Sequence, residues 1–317
     1  MAEARPWNTA LRLLQRYQGL AGLALLFIAA HFLSSDFFVA QNWVNILKQL
    51  AIPGVLAIGM TFVVLTGGID LSVGSHLALL NVILATWAKH NANIWLSCGY
   101  VILWGVLIGA FLGWLVGRLR MQPFIVTLGA MVTLRGIAYV YSDRSIVSGF
   151  GDRFDAFEKP FLGLPISGWI LIALTLAAGL ILSKTVLGRR IYALGGSETA
   201  STYSGVPVNR VRIAAYAMNG LCVAVAAILF TARSSSGTPS AGLGYELDAI
   251  AAVVVGGASL FGGVGDAFGT LVGALFIVCV NNLLQLRSVD TNIAQAWKGV
   301  IILLAVYMQT IGRKQPT

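Results

Sequence analysis

The feature that most limits what this chain can become is a succession of apolar runs separated by short polar connections. They fall near residues 20–36, 48–66, 71–88, 94–117, 122–141, 166–184, 212–232, 247–261, 266–286 and 293–311. Coiled as a helix, about 20 apolar residues match the hydrocarbon thickness of a bilayer. In hydrocarbon, backbone N–H and C=O groups find partners only within a helix or a closed barrel, and the short alternating strands of a barrel are missing from this sequence. Only 10% of the residues are charged, against roughly 25% in a soluble domain. The expectation is an all-α integral membrane protein of about ten transmembrane helices, organised as one transmembrane domain over residues 1–317. Only Gly67, Gly68, Ile69 and Asp70 separate the second run from the third, and the eighth run is short. Those segments are expected to be broken or re-entrant helices.

The net charge of +9 does not point to nucleic acid, because the basic residues are scattered over short loops rather than gathered in a patch. Orientation accounts for them. Placing segment 1–19 inside puts Arg5, Arg12 and Arg16 on the inner side with the pairs Arg118/Arg120, Arg189/Arg190 and Arg210/Arg212. Both termini are then cytoplasmic, the mixed-charge loop 142–165 lies outside and the basic loop 185–211 inside. The first run follows arginines, as a signal peptide would, but no small-residue cleavage site follows it, so a retained span is expected. Cys98, Cys222 and Cys279 lie far apart within or beside apolar runs, and His31, His76 and His90 have no metal-ligand spacing. No metal site, catalytic residue or cofactor is assigned to this chain.

Glycines supply the next layer. Gly105, Gly109, Gly113 and Gly117 recur every fourth residue, and Gly265, Gly269 and Gly273 repeat the pattern. Such stripes bring helix backbones close, either within one subunit or at a seam between subunits. The run VLTGGIDL at 64–71 parallels VVVGGASL at 253–260, a weak internal repeat of the kind that frames central pathways in transporters. The glycine-rich stretch at 262–269 lacks the G-x-G-x-x-G spacing, and no G-x-x-x-x-G-K-[ST] phosphate loop exists in the chain. Any ATP is therefore hydrolysed elsewhere.

Loop 185–211 is punctuated for a short helix of about two turns. Ser197 is the expected N-cap, Glu198 favours the positive end, Gly205 suits a left-handed terminating position and Pro207 blocks continuation. A helix this short is marginal alone in water, so flanking helices or a partner's groove must hold it. Asn81, Thr127, Asn219, Asn281 and Asn282 lie inside apolar runs. Polar side chains at such depth face a pathway or bond between helices. Asp70 reads as a helix cap at the Gly-Gly break, and Arg135 is expected to snorkel outward or pair with an acid.

Four segments resemble one family in the family's own order. ALGGSETASTYSGV at 193–206 is similar to the coupling loop of ribose-type ABC importer permeases, departing from it at Ser197 and Ser201. AIGMTFVVLTGGIDLSVGS at 57–75, PFIVTLG at 123–129 and VGGASLFGG at 255–263 supply the other three. The resemblance implies a channel-forming subunit that moves a ribose-type monosaccharide or related small polyol into a bacterial cell across the inner membrane by alternating access. Its implied partners are a cytoplasmic ABC ATPase that uses ATP and magnesium, a periplasmic or extracellular sugar-binding protein, a second permease copy or paralogue, and membrane lipid. Carried onto this chain, the ATPase-coupling residues are Gly195, Gly196, Ser197, Glu198, Ala200, Ser204 and Gly205. An ion-coupled secondary transporter is the rival reading, with Asp70, Glu246, Asp248 and Asp266 as its only candidate acids. A membrane-embedded enzyme finds no H-E-x-x-H or G-x-S-x-G motif.

Overall fold

A computed structural model describes residues 18–290 apart from 91, 92, 152 and 158, together with 293, 296, 297, 299, 300 and 303. The tenth apolar run and segment 1–17 therefore lie largely outside the described residues. The helices are α1 (Gln18–Leu33), α2 (Ala40–Leu65), α3 (Val73–Lys89), α4 (Ile94–Gly117), α5 (Pro123–Tyr141), α6 (Ile166–Lys184), α7 (Val186–Gly196), α8 (Glu198–Tyr203), α9 (Val208–Ser234), α10 (Tyr245–Val255) and α11 (Ala267–Leu286). A two-residue antiparallel ribbon, β1 (Pro160–Phe161) with β2 (Leu164–Pro165), sits in the loop before α6.

Among the described residues, six helices, α2, α4, α5, α6, α9 and α11, are long and apolar enough to cross a membrane. That is fewer than the expected ten. The other four expected runs are α1, which is shorter, the run at 293–311, which lies largely outside the described residues, and the two interrupted runs of α3 and α10. α10 has 11 residues, a length of about 16 Å against a hydrocarbon core of about 30 Å. The chain on its N-terminal side, 235–244, is not a continuation of the helix. α3, at 17 residues, begins only after the non-helical break at 66–72.

α2 is the hub, packing on α6, α9, α10 and α11. α4 and α5 lie outside it and leave Trp104, Leu107, Phe111, Val132 and Val140 exposed, the outward apolar surface of a protein whose solvent is lipid. The glycine stripe of α4 settles its own role. A side chain at Gly105 would meet Ala224 Cβ at 2.6 Å, at Gly113 the Ile213 Cα at 2.7 Å, and at Gly109 the Tyr216 carbonyl. All of these belong to α9, so the stripe packs two helices of one chain. Gly109→Val is expected to lower stability by about 1–3 kcal/mol through overpacking. Thermal unfolding in detergent measures it, and an unchanged midpoint would show that α4 and α9 separate without cost. In the second stripe Gly269 and Gly273 press on α10, whereas Gly265 lies outside α11, which Asp266 caps through the Gly269 N–H at 2.8 Å.

The internal repeat takes structural form at two helix ends. α2 closes with Gly67 donating to Val64 O and Gly68 to Val63 O, and α10 with Gly257 donating to Val254 O and Ala258 to Val253 O. Both are Schellman closures, with Gly67 at φ +77° and Gly257 at φ +96°. Matching the closures pairs Gly67 with Gly257, one residue away from the pairing that the letters suggest.

Candidate functional site

α7 starts at Thr185, whose hydroxyl accepts the Gly188 N–H at 3.2 Å, and buries Ile191 and Leu194. It ends at Gly196 because Ser197 is extended at φ −164°. Ser197 then caps α8, its Oγ accepting the Ala200 N–H at 3.2 Å. Glu198 occupies the first turn, where the helix dipole favours an anion, and Arg212 of α9 grips both of its carboxylate oxygens. At the far end Gly205, at φ +75°, donates to Thr202 O at 3.1 Å and Val206 to Ser201 O at 3.0 Å. The start and stop signals of the loop thus act where the sequence puts them.

What holds so short a helix is its own chain. Ser201 is buried, and the Glu198–Arg212 pair ties the first turn to α9. The other side is open. Gly196, Ser197, Ala200, Ser204 and Gly205 are exposed, and Tyr203 is 89% exposed. Gly195 alone among the expected coupling residues turns inward, against the backbone of Leu65 and Gly263. Tyr203 was not singled out in the sequence, although an aromatic residue on the open side of a two-turn helix was the available signal.

The polar residues inside the apolar runs find protein partners. Asn42 and Asn282 exchange two amide hydrogen bonds at 2.9 Å between α2 and α11. Asn219 donates to Asp70 at 2.8 Å. The Thr127 hydroxyl donates to its own helix at Pro123 O, 2.9 Å away, and lies 3.2 Å from Ile69 O in the break. Asn281, beside Asn282, is partly exposed.

Asn81 and Arg135 serve a feature that no motif announced. Segment 235–244 runs as irregular backbone alongside α3, from Gly237 packed on Val82 and Ala85 to Gly242 packed on Gly74. Asn81 donates to Ser236 O at 3.0 Å and accepts the Thr238 N–H at 2.7 Å. Arg135 donates to Pro239 O at 2.7 Å and Ala241 O at 2.6 Å. Arg135 was expected to snorkel or to pair with an acid; it interacts electrostatically with Glu246 and also supplies hydrogen bonds to these carbonyls.

Asp70 also differs from its expected role as a cap. Its carboxylate, three residues before α3 begins, accepts the Ser72 N–H at 2.8 Å and the Ser72 hydroxyl at 2.6 Å. It forms a side-chain turn in the break and joins that break to α9. Of the other acids weighed for ion coupling, Asp266 caps α11, and Glu246 and Asp248 lie in the first turn of α10.

A bundle of apolar helices with broken segments and one exposed, well-capped helix on a connecting loop is the architecture of a multi-pass membrane protein. Comparison places the chain more closely. Residues 42–307 match the family model described as branched-chain amino acid transport system / permease component. Over 93% of both chains it is 43% identical to the ribose import permease protein RbsC of Haemophilus influenzae. It is 33% identical to the D-allose transport system permease protein AlsC of Escherichia coli, covering 98% of this chain and 96% of that one. The xylose transport system permease protein XylH of Escherichia coli is 32% identical, with 87% and 86% covered. No solved structure matches. This chain belongs to that permease family, within its ribose-type ABC importer branch.

Proposed function

We propose that this chain is the channel-forming subunit of an ATP-driven importer that carries a ribose-type monosaccharide or related small polyol into the cytoplasm. The observation that carries this reading is the 43% identity, over nearly the whole chain, to a ribose import permease. Its physical counterpart is α8, stabilised from within the chain yet open on the side that bears Ala200 and Tyr203.

In this reading α8 seats in a cleft of a separate ABC ATPase, which binds ATP and magnesium, and residues 195–205 form the docking element. The end of the bundle holding α7 and α8 faces the cytoplasm of a bacterial cell, with both termini on that side of the inner membrane. A soluble sugar-binding protein delivers cargo at the opposite face, and a second permease copy or paralogue completes the channel. Beyond the six long helices, further crossings come from α1, α3, and α10 with segment 235–244; the expected run at 293–311 lies largely outside the described residues. Docking drives transport only if the ATPase contacts α8 differently in the outward and inward states.

The test is uptake of labelled ribose, allose, xylose and other sugars into proteoliposomes holding this chain, its ATPase and its binding protein. ATP-dependent accumulation of one sugar is the expected result. Uptake by the chain alone, driven by a proton or sodium gradient and indifferent to ATP, would overturn the reading.

A further inference from the structure

Two sets of contacts run from the neighbourhood of α8 to a single target, the break at 66–72 between α2 and α3. The first passes through α7. Its Gly195 lies flat against the carbonyl of Leu65, the last residue of α2, and a methyl group there would collide with that oxygen and with the Gly263 amide. The same carbonyl accepts the Gly263 N–H at 3.0 Å. One turn back, the Tyr192 hydroxyl donates to Gly265 O at 2.7 Å. The end of α2, the end of α7 and loop 262–265 therefore meet backbone to backbone.

The second set passes through α9. Arg212 holds Glu198 of α8, and residues four and seven positions further along share its helix face. Those residues are Tyr216 and Asn219. The Tyr216 hydroxyl donates to Ile69 O at 3.4 Å, and the Asn219 amide donates to Asp70 at 2.8 Å. Asp70 in turn holds Ser72, the residue before α3. Asp70, Ser72 and Asn219 are all buried, so no solvent cushions the chain of contacts.

We infer that the break at 66–72 is the part of the channel that α8 moves, with Tyr192 and Asp70 as the positioning residues of the two arms. The inference rests on the docking role proposed for α8. A displaced α8 carries α7 and the first turns of α9 with it. Close-packed backbone contacts have little give, so the end of α2 and the start of α3 shift as one unit. Because α3 begins in this break, its tilt is the motion by which one end of the pathway opens.

The experiment uses the assembled complex of this chain, ATPase and binding protein in proteoliposomes, and reads labelled ribose accumulated per ATP hydrolysed. Asp70→Ala and Tyr192→Phe cut the two arms separately, the second by removing the hydroxyl that donates to Gly265 O. Each is expected to assemble with the ATPase and hydrolyse ATP near the parent rate, while ribose per ATP falls about tenfold, the size of a typical coupling free energy. Asp70→Asn is the rescue: it keeps the bond to Ser72, and the Asn219 amide turns so that its oxygen, unpartnered in the structure, accepts the new N–H. Ribose per ATP is expected to return toward the parent value. Should one variant fail to insert, the other decides, since the arms share no residue. An unchanged ratio overturns the inference, as does a parallel fall of hydrolysis and uptake. Ala200→Glu run alongside separates the two proposals: if it blocks assembly while the arm variants keep their ratio, the break is wrong and docking stands. If it assembles and transports normally, the docking role falls and this inference with it.

Discussion

Replacing Ala200 with glutamate is expected to abolish ATP-driven uptake while leaving the chain inserted and as stable as its parent. Ala200 is exposed at the third position of α8, and its N–H is held by the Ser197 hydroxyl. A glutamate there leaves the bond from its backbone N–H to the Ser197 hydroxyl intact, and a carboxylate in the first turn is favoured by the helix dipole, so α8 is not unwound. The loss therefore cannot come from melting the helix. It comes from the partner: a carboxylate forced unpaired into a protein cleft costs about 3–5 kcal/mol, or roughly two to four orders of magnitude in affinity. Two measurements check this. Co-purification of the ATPase should be lost, and the thermal midpoint of the isolated chain should be unchanged or raised. Retained co-purification with normal uptake would show that α8 is a structural loop.

Arg135→Met is expected to have the opposite signature, a chain that fails before it reaches its partner. The guanidinium is the side-chain donor to both Pro239 O and Ala241 O, and methionine fills comparable space with no donor. Two carbonyls lose their partners at a cost of about 1–3 kcal/mol each, where lipid offers no replacement. The yield of inserted protein and the thermal midpoint in detergent should both fall, and Arg135→Lys, which keeps one cluster of donors, should fall less. If Arg135→Met instead inserts and melts like its parent but changes sugar preference, the residue faces cargo and its bonds to segment 235–244 are incidental.

The membrane environment, the helical class and the position of α8 were legible in the residues. Hydrocarbon leaves a chain one local solution, the helix, so a run of apolar letters reports structure directly. Helix ends are equally local. Ser197, Gly205 and Pro207 act through their own backbone neighbours, and the observed caps follow from those letters without reference to the rest of the molecule. The family resemblance added what local chemistry does not contain, the partner for which an exposed two-turn helix is suited.

The polar residues inside the bundle were not legible in the same way. Asn81, Arg135, Asn219 and Asp70 were recognisable as groups needing partners, but each partner lies far along the chain, at Ser236, Pro239, Asp70 and Asn219. Sequence spacing carries no information on contacts between elements that distant. The four-residue glycine stripe of α4 announced a close approach without saying to what, and only the packed bundle chose α9. The interruptions within the apolar runs were hidden for a related reason. Hydropathy reads composition, and segment 235–244 is irregular backbone whose carbonyls Asn81 and Arg135 reach from other helices. Burial of apolar surface and helix capping are properties of a stretch of letters; satisfying an interior polar group is a property of the assembled tertiary structure.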